Sequence, residues 1–226
     1  MKNKLWGSLL FAGAAVCLAG AATVQAQNNM SFFITSVGKG EGANLGGLEG
    51  ADAHCAMLAK AAGSTKTNWR AYLSTTQVPN GAGPVDARDR IGAGPWVNAK
   101  GVTIAKNVDD LHSSSNPNPN LTKANLLNEK GMPVNGRGDT PNTHDMLTGS
   151  DSAGRYMPNM GSADTTCGNW TKNGEGSAIV GHHDRSGPNN NRNFTSWNAA
   201  HGSAACSQEA LVKTGGAGQF YCFAAN

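Results

Sequence analysis

The sequence has few charged residues: Asp, Glu, Lys and Arg together make up 15% of its 226 positions. A highly charged disordered chain has a different composition. The sequence also contains no stripe of basic residues interleaved with aromatic residues, so it gives no support for nucleic-acid binding. A polybasic patch for a membrane surface is missing for the same reason. Charge therefore excludes these two classes of partner and favours a folded domain.

Several catalytic and metal-binding motifs are also missing. The sequence contains no Gly-x-Ser-x-Gly motif and no pair of carboxylates in a defined setting. It contains no Cys-x-x-Cys, which argues against a zinc ribbon and against a thioredoxin-type redox centre. No catalytic residue is predicted from sequence, and a non-catalytic protein is the expectation.

There is only one long apolar run, and it lies at the N-terminus. Met1 to Lys4 form a short positive segment, an apolar stretch follows from Leu5 to about Val24, and small residues stand at −3 and −1 before Gln27. This pattern predicts a signal peptide over 1–26, with a membrane anchor as the competing interpretation. The remainder, 27–226, is predicted to be a single domain that is periplasmic, secreted or attached to the cell surface. Without Lys2 and Lys4 it has 16 basic and 15 acidic residues, a net charge of +1.

Glycine is abundant, with 30 residues, and the predicted helices and strands are short. Such a composition is typical of many turns and long ordered loops. Apolar periodicity predicts helices at 51–62 and 121–130 and one helical turn at 86–91. Alternation and β-branched residues predict strands at 30–37, 68–75, 102–105, 144–148, 167–171, 177–181 and 219–224. The mixture indicates an α+β, loop-rich domain.

Five cysteines are present, and Cys17 lies in the predicted signal peptide. The other four, Cys55, Cys167, Cys206 and Cys222, are expected to form two disulfides in an exported domain. Four cysteines allow three pairings, and the residues alone leave all three open.

Four segments carry a resemblance to a known family. They are Gly47-Leu-Glu-Gly-Ala-Asp-Ala-His-Cys55, Trp69-Arg-Ala-Tyr-Leu-Ser74, Thr166-Cys-Gly-Asn-Trp170, and Ser203-Ala-Ala-Cys206 with Phe220-Tyr-Cys-Phe223. In this order they resemble the endostatin-like branch of the C-type-lectin-like fold. The resemblance implies an α+β fold with paired N- and C-terminal strands, long loops on one side, and two nested disulfides, Cys55–Cys222 and Cys167–Cys206.

The same resemblance implies a function. Similar domains occur in bacterial exported and surface proteins, so we expect a carbohydrate-binding or protein-binding module whose partner is a glycan or a surface protein. Animal endostatins bind heparan sulfate through surface arginines and carry a His-rich N-terminal zinc site. Neither activity is expected here, because this chain has few arginines and lacks the His-rich N-terminus.

The loop region 182–198 holds most candidate ligand-binding residues. Trp197-Asn198 partly matches the Trp-Asn-Asp element of calcium-dependent lectins, but the acidic residues of such sites are missing, and calcium prefers several carboxylates. Calcium is therefore not expected, whereas amides and an aromatic ring suit a sugar without metal. The candidates are His182, His183, Asp184, Asn189, Asn190, Asn191, Trp197 and Asn198.

The segment His182-His183-Asp184 also supports an alternative, a metal-binding protein or metal-dependent enzyme. Adjacent residues on a strand point to opposite faces, so both histidines do not readily bind one metal. One of them pairs with His144, Asp145 or His201 in this hypothesis, which gives a site for a transition metal. The metal candidates are thus His144, His182, His183 and Asp184. No cofactor is the primary expectation, and a structural envelope protein is the third interpretation.

Overall fold

The computed structural model describes residues 26–76, 83–114, 117–158, 164–191 and 193–225. The predicted signal peptide lies outside these residues, apart from Ala26. Within the described ranges, no helix is both long enough and apolar enough to cross a membrane.

The chain forms short helices and strands joined by long loops, which confirms the α+β, loop-rich prediction. The helices are α1 (Gly47–Ala61), α2 (Ala87–Arg90), α3 (Val108–Leu111), α4 (Cys167–Trp170) and α5 (Gln208–Lys213). The strands are β1 (Phe32–Ile34), β2 (Trp69–Ala71), β3 (Trp96–Val97), β4 (Thr103–Ala105), β5 (Asp145–Leu147), β6 (Ile179–His182), β7 (His201–Gly202) and β8 (Gly216–Ala224).

Two predicted elements are wrong. Residues 121–130 form turns and isolated bridges instead of a helix, because Asn128 accepts hydrogen bonds from backbone amides with its side chain and holds a turn. Residues 167–171 form the helical turn α4 instead of a strand. There the Thr166 side chain accepts from the Asn169 amide, and Asn169 itself is left-handed with φ of 56°.

The main sheet is organised around the long strand β8. Its C-terminal half pairs with β1 and β2, both antiparallel, and its N-terminal half pairs with β5 in parallel. The sheet continues from β5 to β6 and from β6 to β7, both antiparallel. The pairing of β1 with β8 confirms that the N- and C-terminal strands of the domain lie side by side.

Helix α1 covers one face of this sheet. It buries Ala51, Cys55, Leu58 and Ala59, the side chains that recur every three or four residues, as amphipathic periodicity predicts. The helix ends before Gly63, whose φ of 84° suits glycine at this position. The apolar periodicity of the sequence therefore correctly predicts which side of α1 is buried.

Both disulfides have the predicted nested arrangement. Cys55 of α1 is bonded to Cys222 of β8, and Cys167 of α4 is bonded to Cys206. The outer disulfide ties the helix to the last strand across 167 positions, and the inner one closes a loop of 39. Both bonds fit a protein that folds in an oxidising compartment.

Two apolar clusters pack on opposite faces of β8. Alternate residues of this strand divide between them: Phe220 and Cys222 join the cluster under α1, whereas Tyr221 and Phe223 join an aromatic cluster that includes Trp96. Because both faces of β8 are covered, its C-terminal part, from Phe220 to Ala224, is an unbroken apolar run.

A partly buried ion pair fastens α1 to β2. The Asp52 carboxylate accepts hydrogen bonds from Arg90 at 2.8 and 2.9 Å, from Arg70 at 3.0 Å and from the Ala71 amide at 2.8 Å. Removing one partner of such a pair leaves the others desolvated without compensation.

We therefore expect Asp52→Ala to lower the free energy of unfolding by about 3 kcal/mol, measured by urea denaturation. Asp109→Ala is the matched control, because Asp109 is 94% exposed in its pair with Arg88 and exposed pairs contribute about 0–1 kcal/mol. Equal losses in the two variants would contradict this account of Asp52.

Candidate metal centre

Three neighbouring strands bring histidines and an aspartate to one place on the sheet. Asp145 of β5 lies directly opposite His182 of β6, and His201 of β7 lies opposite Val180. Directly opposed residues in an antiparallel pair share a face, as do residues two apart on one strand. The register therefore places Asp145, His182 and His201 on the same face. His144 precedes β5, and its ring stacks on that of His182 with centroids 4.0 Å apart.

The imidazole nitrogens converge on one carboxylate oxygen. Asp145 Oδ1 lies 3.2 Å from His144 Nε2, 3.3 Å from His182 Nε2 and 3.6 Å from His201 Nε2. Ligand atoms of His144, Asp145 and His182 all lie within 4.8 Å of one another. Two ligands of a tetrahedral zinc ion are separated by about 3.3 Å, since each is about 2.0–2.1 Å from the metal. The two shorter distances match this spacing.

These close contacts are not aligned hydrogen bonds. Among the described residues, neither oxygen of Asp145 has a hydrogen-bond partner, and the same holds for His182 Nε2. In a hydrogen bond the ring nitrogen aims at the oxygen, whereas around a shared cation both atoms aim at a third point. Buried polar atoms without partners are rare in proteins and call for an explanation.

The other ring nitrogen, Nδ1, of His144, His182 and His201 already has a hydrogen-bond partner. Every Nδ1 faces an oxygen that only accepts hydrogen bonds, so in the neutral ring Nδ1 carries the proton and Nε2 keeps its lone pair. The acceptors are Asp184 Oδ1 for His144 (3.2 Å), the Phe194 carbonyl oxygen for His182 (2.6 Å) and the Gly202 carbonyl oxygen for His201 (3.0 Å). This is the tautomer that a metal-binding histidine needs.

Charge balance also favours a shared cation. The rings of His144 and His182 are stacked within 14° of parallel, so two positive charges there would repel each other. Burial raises the pKa of Asp145, but the imidazole groups of His182 and His201 outweigh it and hold that pKa below its usual range. Asp145 is therefore an anion faced by three ring nitrogens, and this carboxylate raises the pKa of His201 above its usual value.

Asp184 supports the site from behind His144. Burial raises the pKa of its carboxyl, but hydrogen bonds from His144 and from the amides of Arg137 and Ser186 outweigh burial and hold the pKa well below its usual range. An ionised carboxylate that accepts from Nδ1 fixes the ring and raises the basicity of Nε2. Asp184 thus acts through His144 and has no ligand atom in the cluster itself.

His183 lies apart from the cluster, as the alternation of faces along a strand predicts. Its side chain is fully buried, its Nε2 donates to the Asn135 carbonyl oxygen at 3.0 Å, and burial lowers the pKa of the ring. Of the four metal candidates from sequence, the structure brings His144 and His182 together. Asp145 and His201, which sequence analysis gave only as partners, complete the group.

The remaining candidates lie on the loop between β6 and β7. Asn189, Asn190 and Asn191 are exposed on the loop between β6 and β7. Trp197 is buried, and Asn198 is fully buried, where its amide nitrogen donates to the Tyr72 hydroxyl and to the Asp151 carbonyl oxygen. These residues therefore divide into exposed amides at the loop tip and buried groups at its base.

A cleft of about 610 Å³ opens beside the loop base. Its walls include Leu111, His112, Asp151, Arg185, Trp197 and Asn198. Arg185 is left-handed, with φ of 52°, and forms no ion pair within the part of the chain that the structure describes. The histidine cluster does not line this cleft.

Replacing Asp184 tests whether its carboxylate orients the His144 ring for metal binding. Asp184→Asn removes the charge that orients His144, and we expect zinc affinity to fall by about 10–100-fold, the usual effect of losing such a support. Isothermal titration calorimetry measures the change, and Asp151→Asn serves as the control because Asp151 lies on the cleft. Unchanged affinity in Asp184→Asn would contradict the role given to Asp184.

Scanning the chain against known protein families gives no match, and searching the curated proteins gives none either.

Proposed function

We propose that this protein binds a transition-metal ion through His144, Asp145 and His182, with His201 beside them. The observation that carries the proposal is the convergence of three ring nitrogens on one buried carboxylate oxygen that has no hydrogen-bond partner among the described residues. A cation between these atoms would satisfy all of them at once.

The donor set favours certain metals. Imidazole nitrogens with one carboxylate suit zinc, copper, nickel or iron, and the spacing fits a tetrahedral zinc ion. Calcium prefers six to eight oxygen ligands, which the cluster does not supply. Zinc is therefore the first metal to test for binding.

A metal held by His144, Asp145 and His182 would join β5 to β6, because Asp145 lies on β5 and His182 on β6. Binding to the folded state alone stabilises it. The test is equilibrium dialysis of chelator-treated protein against Zn²⁺, followed by thermal unfolding with and without the metal. The proposal predicts one ion per chain and a higher Tm. Fewer than about 0.1 ion per chain at micromolar zinc would overturn it.

We also propose that the chain has an endostatin-like fold of the C-type-lectin-like class and that it is exported. The nested disulfides and the pairing of β1 with β8 support the endostatin-like resemblance. The disulfides also support a periplasmic, secreted or surface location, in agreement with the predicted signal peptide.

The cleft beside Trp197 favours a second function, binding of a glycan or a surface protein by the loop face 182–198. The Arg185 guanidinium at its edge donates from Nε to the Thr195 carbonyl oxygen at 3.4 Å but forms no ion pair among the described residues, so it suits an acidic group on such a partner. A glycan array probed with and without chelator tests this function. Binding that is lost in Arg185→Ala would support it, and no binding to any glycan would leave only a protein partner for this face.

A further inference from the structure

We infer that the bound metal keeps one exchangeable coordination position on the His201 side, where a small oxygen or nitrogen donor such as azide or acetate binds. This inference rests on the proposed metal-binding function and extends it from holding a metal to presenting it to an outside ligand.

Exposure distinguishes His201 from the rest of the cluster. The side chains of His144, Asp145 and His182 are 7%, 2% and 2% exposed, so they close the site from the protein side. The side chain of His201 is 28% exposed. A ligand from solvent therefore reaches the cluster along this ring.

The restraints on the rings differ in the same way. His144 is held by Asp184, 40 positions away, and His182 by the Phe194 carbonyl oxygen across a loop. Among the described residues, Nδ1 of His201 donates to the carbonyl oxygen of the next residue, Gly202. These restraints fix two rings against distant parts of the fold and leave the third with a local contact.

The position of the strand reinforces this difference. β7 has only two residues and is the last strand of the sheet beyond β6. Strands at a sheet edge lack a neighbour on one side. His201 is thus the member of the cluster that moves at the least cost to the fold.

The distances agree with a core of three ligands. His201 Nε2 is 3.6 Å from Asp145 Oδ1, farther than the 3.2 and 3.3 Å of the other two rings. Zinc with four protein ligands is a closed structural site, whereas zinc with three protein ligands keeps a fourth position for water or substrate. We infer that His201 occupies that fourth position only loosely and yields it to a competing donor.

The ligand must be small. The three core side chains are buried, and His201 is the most exposed of the four side chains in the cluster. Azide is a suitable probe, because it is an anion with few atoms and changes the visible spectrum of cobalt(II), which replaces zinc in such sites.

The experiment titrates the full protein, loaded with Co²⁺, with azide and follows the visible spectrum. Wild type, His201→Ala and a matched control, His54→Ala on α1, are compared. We expect azide to change the spectrum of the wild type and to bind about tenfold more tightly to His201→Ala, because the competing imidazole is gone. Cobalt affinity should fall by less than about tenfold in His201→Ala, and His54→Ala should behave as the wild type.

Three outcomes would overturn parts of the account and are distinguishable. A wild-type spectrum that azide leaves unchanged would overturn the exchangeable position while metal binding stands. Loss of cobalt from His201→Ala as complete as from His182→Ala would show a closed site with four protein ligands. No cobalt uptake by the wild type would overturn the proposed function itself. The wild-type titration decides the question even if His201→Ala does not fold.

Discussion

Replacing His182 by alanine is expected to lower zinc affinity by at least about 100-fold, more than the loss of a supporting residue usually costs. His182 Nε2 is 3.3 Å from Asp145 Oδ1 and has no hydrogen-bond partner among the described residues, so its lone pair is free for a metal. Its Nδ1 donates to the Phe194 carbonyl oxygen, which fixes the ring in the tautomer required. Competition of the protein with a zinc-binding dye measures the affinity.

The neighbouring histidine supplies a matched control. His183→Ala removes an equally buried imidazole one position away, but one whose Nε2 bonds to Asn135. It should lower the free energy of unfolding and leave zinc affinity within about threefold of the wild type. If His183→Ala loses zinc and His182→Ala keeps it, the assignment of ligands is wrong.

The largest effect on stability is expected from the outer disulfide. Cys55→Ala/Cys222→Ala should lower the free energy of unfolding by about 5 kcal/mol, because the cross-link spans 167 positions and restricts the unfolded chain most strongly. The inner disulfide spans 39 positions, and Cys167→Ala/Cys206→Ala should cost about 4 kcal/mol. Alanine avoids placing a hydroxyl in sites that are fully buried.

Urea denaturation of the two double variants under identical conditions gives the comparison. Both cross-links join fully buried residues, so the difference between the variants reports mainly on loop length. A larger loss from the inner pair would mean that local packing around α4, and not the unfolded chain, governs the stabilisation.

Elements with a regular local pattern of apolar residues could be predicted from the sequence. The buried face of α1 follows from the spacing of Cys55, Leu58 and Ala59, and the residues around Phe220 predict the strand at 219–224. Element ends were less predictable. The turn at Asn128 and the left-handed Asn169 depend on side-chain hydrogen bonds that compete with regular structure.

Sequence alone predicts His144 and His182 as members of the candidate metal centre, but not how the cluster is assembled. Alternation along a strand shows that His182 and His183 face opposite ways, but not which of them faces a carboxylate. That choice depends on the register of β5 against β6, which places Asp145 opposite His182, and on β7, which adds His201 from a distant part of the chain. Pairings between distant strands leave no local pattern in the sequence.

The most direct test of the metal site is an anomalous difference map from crystals grown with Zn²⁺ and recorded at the zinc absorption edge. The account predicts a single strong peak about 2.0–2.2 Å from His144 Nε2, His182 Nε2 and Asp145 Oδ1, on the side that faces His201. A protein that crystallises with zinc and shows no peak among these three atoms would contradict it.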